Sequence, residues 1–187
     1  MVSLCSTSTR YGAVVQVFHW LIAILVLAAY IMSKCDRYSL YSADADGLRR
    51  IHETLGVLVF IVVVLRLSWG LIDRMSVKQS MPRAMAEAAK IVHGMLYALL
   101  VAVPTAAMLG TWLEGIPVTL VGTDIALPVA SHGAGQLIME IHIALGNTIL
   151  WLAGMHAAMA VFHHFYLRDD VFQSMVPGGS PRRHNAD

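Results

Sequence analysis

Ile138–Tyr166 reads IMEIHIALGNTILWLAGMHAAMAVFHHFY. It is apolar for longer than the ~20 residues a bilayer-spanning helix requires. A helix formed here crosses a membrane and tilts or protrudes at one end. Two of its histidines, His142 and His156, are fourteen residues apart. That spacing is nearly four helical turns, so the second returns to almost the same face about 21 Å further along the axis. Ionisable side chains at such depth are costly, face the bundle interior and mark function by default.

Working outward, three more stretches have the same character: Ala13–Ser33, Ile51–Ile72 and Ala89–Trp112. Only Arg66, near the end of the second, puts a cation well inside a span. The whole chain of 187 residues is 57% hydrophobic and 13% charged, with mean hydropathy +0.65. Soluble domains carry about a quarter charged residues, so the deficit points to lipid. The sequence therefore predicts an all-α membrane fold, an antiparallel four-helix transmembrane bundle forming one domain over residues 1–176. A Gly/Pro-rich charged tail, 177–187, is expected to be disordered and cytoplasmic. The formal net charge is +1, which gives nucleic-acid binding no electrostatic support. Cys5 and Cys35 are too few and too far apart for a zinc or iron–sulfur motif, and the topology sets them near opposite membrane faces. The first apolar run lacks a small-residue cleavage site before a polar domain, so it reads as a spanning helix rather than a signal peptide.

Four spans put both termini on one side. The terminal side and middle loop carry Arg10, Arg74, Lys78, Arg83, Lys90, Arg168, Arg182 and Arg183, and the other side carries Lys34, Arg37, Arg49 and Arg50. Lys/Arg bias then sets both termini in the cytoplasm. The loop from Leu113 to Gln136, apolar in part and holding His132, is expected to cap the outer surface.

Two helices open alike: IHETLG gives His52 and Gly56, and IHIALG gives His142 and Gly146. In each, glycine follows histidine by one turn on the same face. An imidazole beside a missing side chain leaves a flat slot, which a porphyrin ligated at its iron needs. Both helices run inward, so His52 and His142 lie at similar depth near the outer face and can approach one iron from two sides. His19, near the start of the first span, meets His156 at the inner level. The reading is two haems, each bis-histidine ligated, with the fourth helix serving both. No CxxCH motif is present, so the haems would be non-covalent b-type. Arg49 and Arg50 lie beside the outer level, to pair with a propionate or to anchor at the interface. Arg66 pairs with an inner propionate or snorkels to headgroups. Trp20, Trp69, Trp112, Tyr97 and Tyr166 read as interfacial aromatics, and the eleven methionines as core filling.

The chain resembles the bacterial cytochrome b561 family, four-helix dihaem cytochromes of the cytoplasmic membrane. The resemblance rests on VFHWL around His19, IHETLG, VHGMLYALLVAVP around His93, IHIALG, and HAAMAVFHHFYLRDD from His156 onward. It implies haem b held by His19, His52, His142 and His156, and electron exchange with the quinone pool. One type within this family is a superoxide oxidase that reduces ubiquinone. The expected role is then electron transfer across the inner membrane, from a periplasmic donor such as superoxide to ubiquinone, as a quinone-linked oxidoreductase. His163, two turns beyond His156, and His93 are the candidates for a proton relay on the quinone side; the bland reading is interfacial hydrogen bonding. Two rivals stand beside this reading. One is a haem-bearing anchor subunit of a separate dehydrogenase or hydrogenase. The other is a histidine-lined metal transporter, which would need a polar path, whereas the spans hold carboxylates only near their ends, at Glu53 and Glu140.

Overall fold

The computed structural model describes residues 4–7, 11–38, 44–73, 82–121, 123–125 and 132–177. Four long helices carry the fold: α1 (Ala13–Tyr38), α2 (Asp44–Ile72), α3 (Arg83–Glu114) and α4 (His132–Phe162). All four are long and apolar enough to cross a membrane. A hairpin of β1 (Val118–Leu120) and β2 (Thr123–Ile125) joins α3 to α4. After α4 comes a π-helical turn, His163–Leu167, and a short helix α5 (Val171–Met175).

The helices run further than the apolar stretches. α2 begins at Asp44 rather than Ile51, α3 at Arg83 rather than Ala89, and α4 at His132 rather than Ile138. Hydropathy measures the hydrocarbon thickness, while a helix that satisfies its own backbone continues past it. His132 thus starts α4 instead of lying in the outer cap loop. The tail beyond residue 177 and most of the middle loop lie outside the described residues.

α3 ends where Gly115 turns left-handed (φ 68°). Its N–H donates to the Trp112 carbonyl, and that of Ile116 to Thr111, a Schellman closure that glycine adopts without a Cβ penalty. Pro104 sits inside α3 and removes one backbone donor. The helices pair off. α1 packs along α2 and α3 along α4, with a smaller α2–α3 contact as the link. The buried apolar cluster is small, Ile22, Val59 and Val63, with Leu25, Val26, Val62, Leu100 and Val101 against it. Large apolar side chains such as Val17, Ile24, Leu65, Trp151 and Phe165 face outward, the arrangement of a bundle bathed in lipid.

At one end the chain closes on itself. Ser6 donates from its backbone N–H and, at 2.6 Å, from Oγ to the Asp73 carboxylate after α2. Gly12 lies so close to this segment that a Cβ there would collide with the Leu4 carbonyl. Gln16 donates to the carbonyls of Tyr11 and Ser174, and Trp20 Nε1 donates to the Met175 carbonyl at 2.9 Å. α5 is thereby strapped across the start of α1, on either side of His19 in sequence.

Candidate functional site: two histidine levels in the bundle

His52 on α2 and His142 on α4 face each other with ring centroids 6.2 Å apart. Each ring is turned by a carbonyl of another helix. His52 Nδ1 bonds the Ala29 carbonyl at 2.7 Å, and His142 Nδ1 bonds that of Val103 at 2.9 Å. A carbonyl only accepts, so Nδ1 carries the proton and Nε2 is left as a lone pair. That is the tautomer, and the second contact, of a metal-ligating histidine. One turn along, a Cβ built on Gly56 or Gly146 would meet no heavy atom within 4 Å.

A second level, towards the start of α1, repeats the spacing. His19 on α1 and His156 on α4 have centroids 6.3 Å apart. Two metal–imidazole bonds in line, about 2.0 Å each, plus about 1.1 Å from each ring nitrogen to its centre, put centroids about 6.2 Å apart. Both pairs fit one metal between two rings. Among the described residues no three His, Cys, Asp or Glu side chains converge as a metal cage. Two imidazoles suit a metal whose other ligands arrive with it, as in haem. His142 and His156 share the unbroken α4, so the levels are about 21 Å apart along the axis.

His93 on α3 stands against His156, centroids 5.1 Å apart, closer than a shared in-line metal allows. Arg66 reaches the same level, and its charge acts on both His19 and His93. Its Nε donates to the Tyr97 hydroxyl at 2.8 Å and its Nη1 to the Val15 carbonyl at 3.1 Å. Its hydrogen-bond partners among the described residues are neutral. Burial pushes the nearby Tyr11 hydroxyl above its ordinary value, Tyr97 adds to this, and Arg66 opposes it.

Arg49 and Arg50, expected either to pair with a propionate or to anchor at the interface, both stand on carboxylates in this structure. Arg49 pairs with Glu53 at 2.6 Å and Arg50 with Asp124 of β2 at 3.0 Å. Glu53 also accepts the Thr119 backbone N–H at 2.9 Å, and the fully buried Thr119 donates its hydroxyl to Asp124 at 2.7 Å. The hairpin is thus clasped to the first turns of α2. The Thr119 hydroxyl, helped by Arg50 and Arg49, holds the Asp124 carboxyl below the usual carboxylate range. Val121, at the hairpin turn, takes φ 50°, an outlier for a β-branched residue, and donates to Thr54 Oγ1 at 3.3 Å. Arg50, Ile51, Thr54, Leu55 and Val121 line a shallow pocket there.

His163 is buried in the π turn and bonded through Nδ1 to Asp169. Asp169 also accepts the Val171 N–H at 3.2 Å, and the left-handed Arg168 (φ 56°) closes the turn. Among the described residues no hydrogen bond or ring contact joins His163 to His93, so the two relay candidates fall in separate neighbourhoods. His164 packs on Phe165 and Phe172. The sequence reading missed Asp169, six residues after His163, and took Tyr97 for an interfacial aromatic. A tyrosine one turn after His93 was the available signal.

A membrane-spanning helical bundle with histidines facing one another at two depths is the architecture of a membrane electron-transfer cytochrome. Residues 10–178 match the prokaryotic cytochrome b561 family, and the chain belongs to that family. It is 29% identical over 178 residues to "Cytochrome b561 homolog 2" of Escherichia coli K12, covering 93% of this chain and 95% of the relative. It is 22% identical over 174 residues to "Probable superoxide oxidase CybB" of Yersinia pestis, covering 90% and 96%. Against "Cytochrome b562" of Cereibacter sphaeroides it is 26% identical over 165 residues, covering 84% and 89%. Membership implies haem b and a multi-pass protein of the inner membrane.

Proposed function

We propose that the chain holds two haem b groups, one between His52 and His142 and one between His19 and His156, and carries electrons across the membrane to ubiquinone. The observation that supports this most is the repeated centroid spacing, 6.2 and 6.3 Å, at two levels of one helix. Haem supplies one-electron redox chemistry at each level, with a potential set by ligands, burial and nearby charge. The protein's part is to hold the ligands. The Ala29 and Val103 carbonyls fix the outer imidazoles, the missing side chains of Gly56 and Gly146 leave room beside them, and Arg66 offers positive charge at the inner level.

The Lys/Arg bias supports an orientation with both termini in the cytoplasm, which makes the His52/His142 level the periplasmic one. The relative from Yersinia pestis, named as a probable superoxide oxidase, supports superoxide as the donor there and an oxidoreductase activity for this chain. At the cytoplasmic end the buried His163, oriented by Asp169, is the residue to relay protons to reduced quinone; His93 sits beside the inner pair as a second. Residues 1–176 act as one unit, with the tail outside it. The absence of a three-ligand cage among the described residues favours haem over the transporter reading. The test is a pyridine haemochrome assay on the purified protein, followed by reduction of ubiquinone in vesicles. Two haems per chain and superoxide-dependent quinol formation are expected. One haem or none overturns the dihaem reading, and two haems with no quinol formed overturn the acceptor.

A further inference from the structure

With Arg49 and Arg50 closed onto carboxylates, Lys34 is left as a cation with neutral partners at the outer level. It sits near the outer end of α1, where helical side chains lean back towards the helix N-terminus, here into the bundle. Its Nζ reaches the Asn147 amide oxygen at 3.4 Å and lies 4.8 Å from the centre of the Tyr30 ring. Those are its polar partners among the described residues, and the hydrogen bond is long. Asn147 follows Gly146, the residue beside which a Cβ would find open space within 4 Å. The ammonium is therefore tethered across the gap between α1 and α4, within about two helical turns of His142 along α4. Arg66 does the same at the inner level, also on a tyrosine and a neutral oxygen.

An ammonium in a membrane-embedded bundle is costly without an opposite charge. A long bond to an amide and the face of one ring compensate it only in part. We propose that Lys34 binds an anionic oxygen group at the outer level. That group is either the propionate carboxylate of the porphyrin held by His52 and His142, or the anionic head of a small donor that reaches it. The proposal rests on the dihaem reading.

The experiment compares the full-length protein with Lys34→Gln and Lys34→Arg. Haem content is counted first. Then haem transfer to apomyoglobin, the midpoint potential of each haem, and the salt dependence of reduction by ascorbate are measured. If the anion is the propionate, Lys34→Gln loses the outer haem to apomyoglobin about tenfold faster, the cost of one charge-assisted hydrogen bond. Its outer potential falls, because a positive charge that favoured the reduced state is gone. The inner haem is unchanged, and Lys34→Arg behaves as wild type. If the anion is the donor, transfer and potential stay put, while reduction by ascorbate slows in Lys34→Gln and loses its dependence on salt. Neither change, with two haems in wild type and variant, overturns the proposal. Fewer than two haems in the wild type overturns the dihaem reading and this one with it.

Discussion

Replacing His52 by alanine removes one imidazole from the outer pair and the 2.7 Å bond to the Ala29 carbonyl. The folding cost of that bond is about 1 kcal/mol, too little to unfold four membrane helices, and Ala29 keeps its place in α1. His142 stays oriented by Val103 at 2.9 Å, but one imidazole alone would hold a haem there less firmly than two. The inner pair lies about 21 Å away along α4, beyond the range over which neighbouring substitutions couple. The haem content should therefore fall by half, in one step rather than by a graded loss. His142→Ala should lose the same half, and His19→Ala and His156→Ala the other. Reduced-minus-oxidised spectra and potentiometric titration of the four variants should sort into two matching pairs. Each pair keeps the potential the other has lost. Grouping of His52→Ala with His19→Ala, or loss of both haems with helical content intact, would refute the two-level reasoning.

Gly146→Leu should exclude the outer haem, its Cβ starting in open space within 4 Å and its helical content checked alongside; equal haem content in variant and wild type, read by haemochrome, would argue against the slot. The Asp124 carboxyl is depressed below its ordinary 3.8, chiefly by Thr119. The clasp it makes is then present in full above that value and is lost as pH falls through the lower folded value. The protection factors of the hairpin amides, with the intrinsic pH dependence of exchange divided out, should be flat from neutrality to about pH 4 and fall below it, and Asp124→Asn should be weakly protected at every pH. His163→Ala should keep both haems but slow their re-oxidation by ubiquinone about 100-fold, the low end of general acid–base effects. Asp169→Asn should fall between, and an unchanged stopped-flow rate would leave His163 a structural residue.

The four spans were legible because a bilayer demands about 20 apolar residues per helix and forces successive helices to alternate direction. That alternation turns sequence position into depth, which is why His52 matches His142, and His19 matches His156, on sequence alone. The partners of Arg49 and Arg50 were not legible. Asp124 is 74 residues from Arg50 and reaches it only through a two-stranded hairpin whose docking depends on Thr119, a residue with no signature of its own. The π turn was equally hidden. A period of 3.6 puts His163 on the face of His156 but gives no sign that the wider turn from His163 to Leu167 and the left-handed Arg168 bring Asp169 back to it. Helix starts at residues 44, 83 and 132 lay beyond the apolar stretches, so hydropathy could not see them.

The division of labour among the helices bears on stability as well as on chemistry. α4 supplies a histidine at both levels and α1 and α2 one each. α3 gives no candidate ligand but orients the site through the Val103 carbonyl, His93 and Tyr97. Packing is strongest within the pairs α1–α2 and α3–α4, while both histidine pairs reach from the first pair of helices to α4 in the second. The side chains that would ligate metal are therefore among those that span the gap between the two halves, beside Arg66 on Tyr97 and Lys34 on Asn147. Few apolar side chains are buried between helices, and lipid offers no hydrophobic force to press the halves together. A group bound across that gap in the folded state alone stabilises it by mass action, RT ln(1 + [L]/Kd). Cofactor binding and assembly of the two halves are in that sense one equilibrium. The clasp of the hairpin on α2 at one end, and the strap of α5 on α1 at the other, hold the frame into which the cofactor fits.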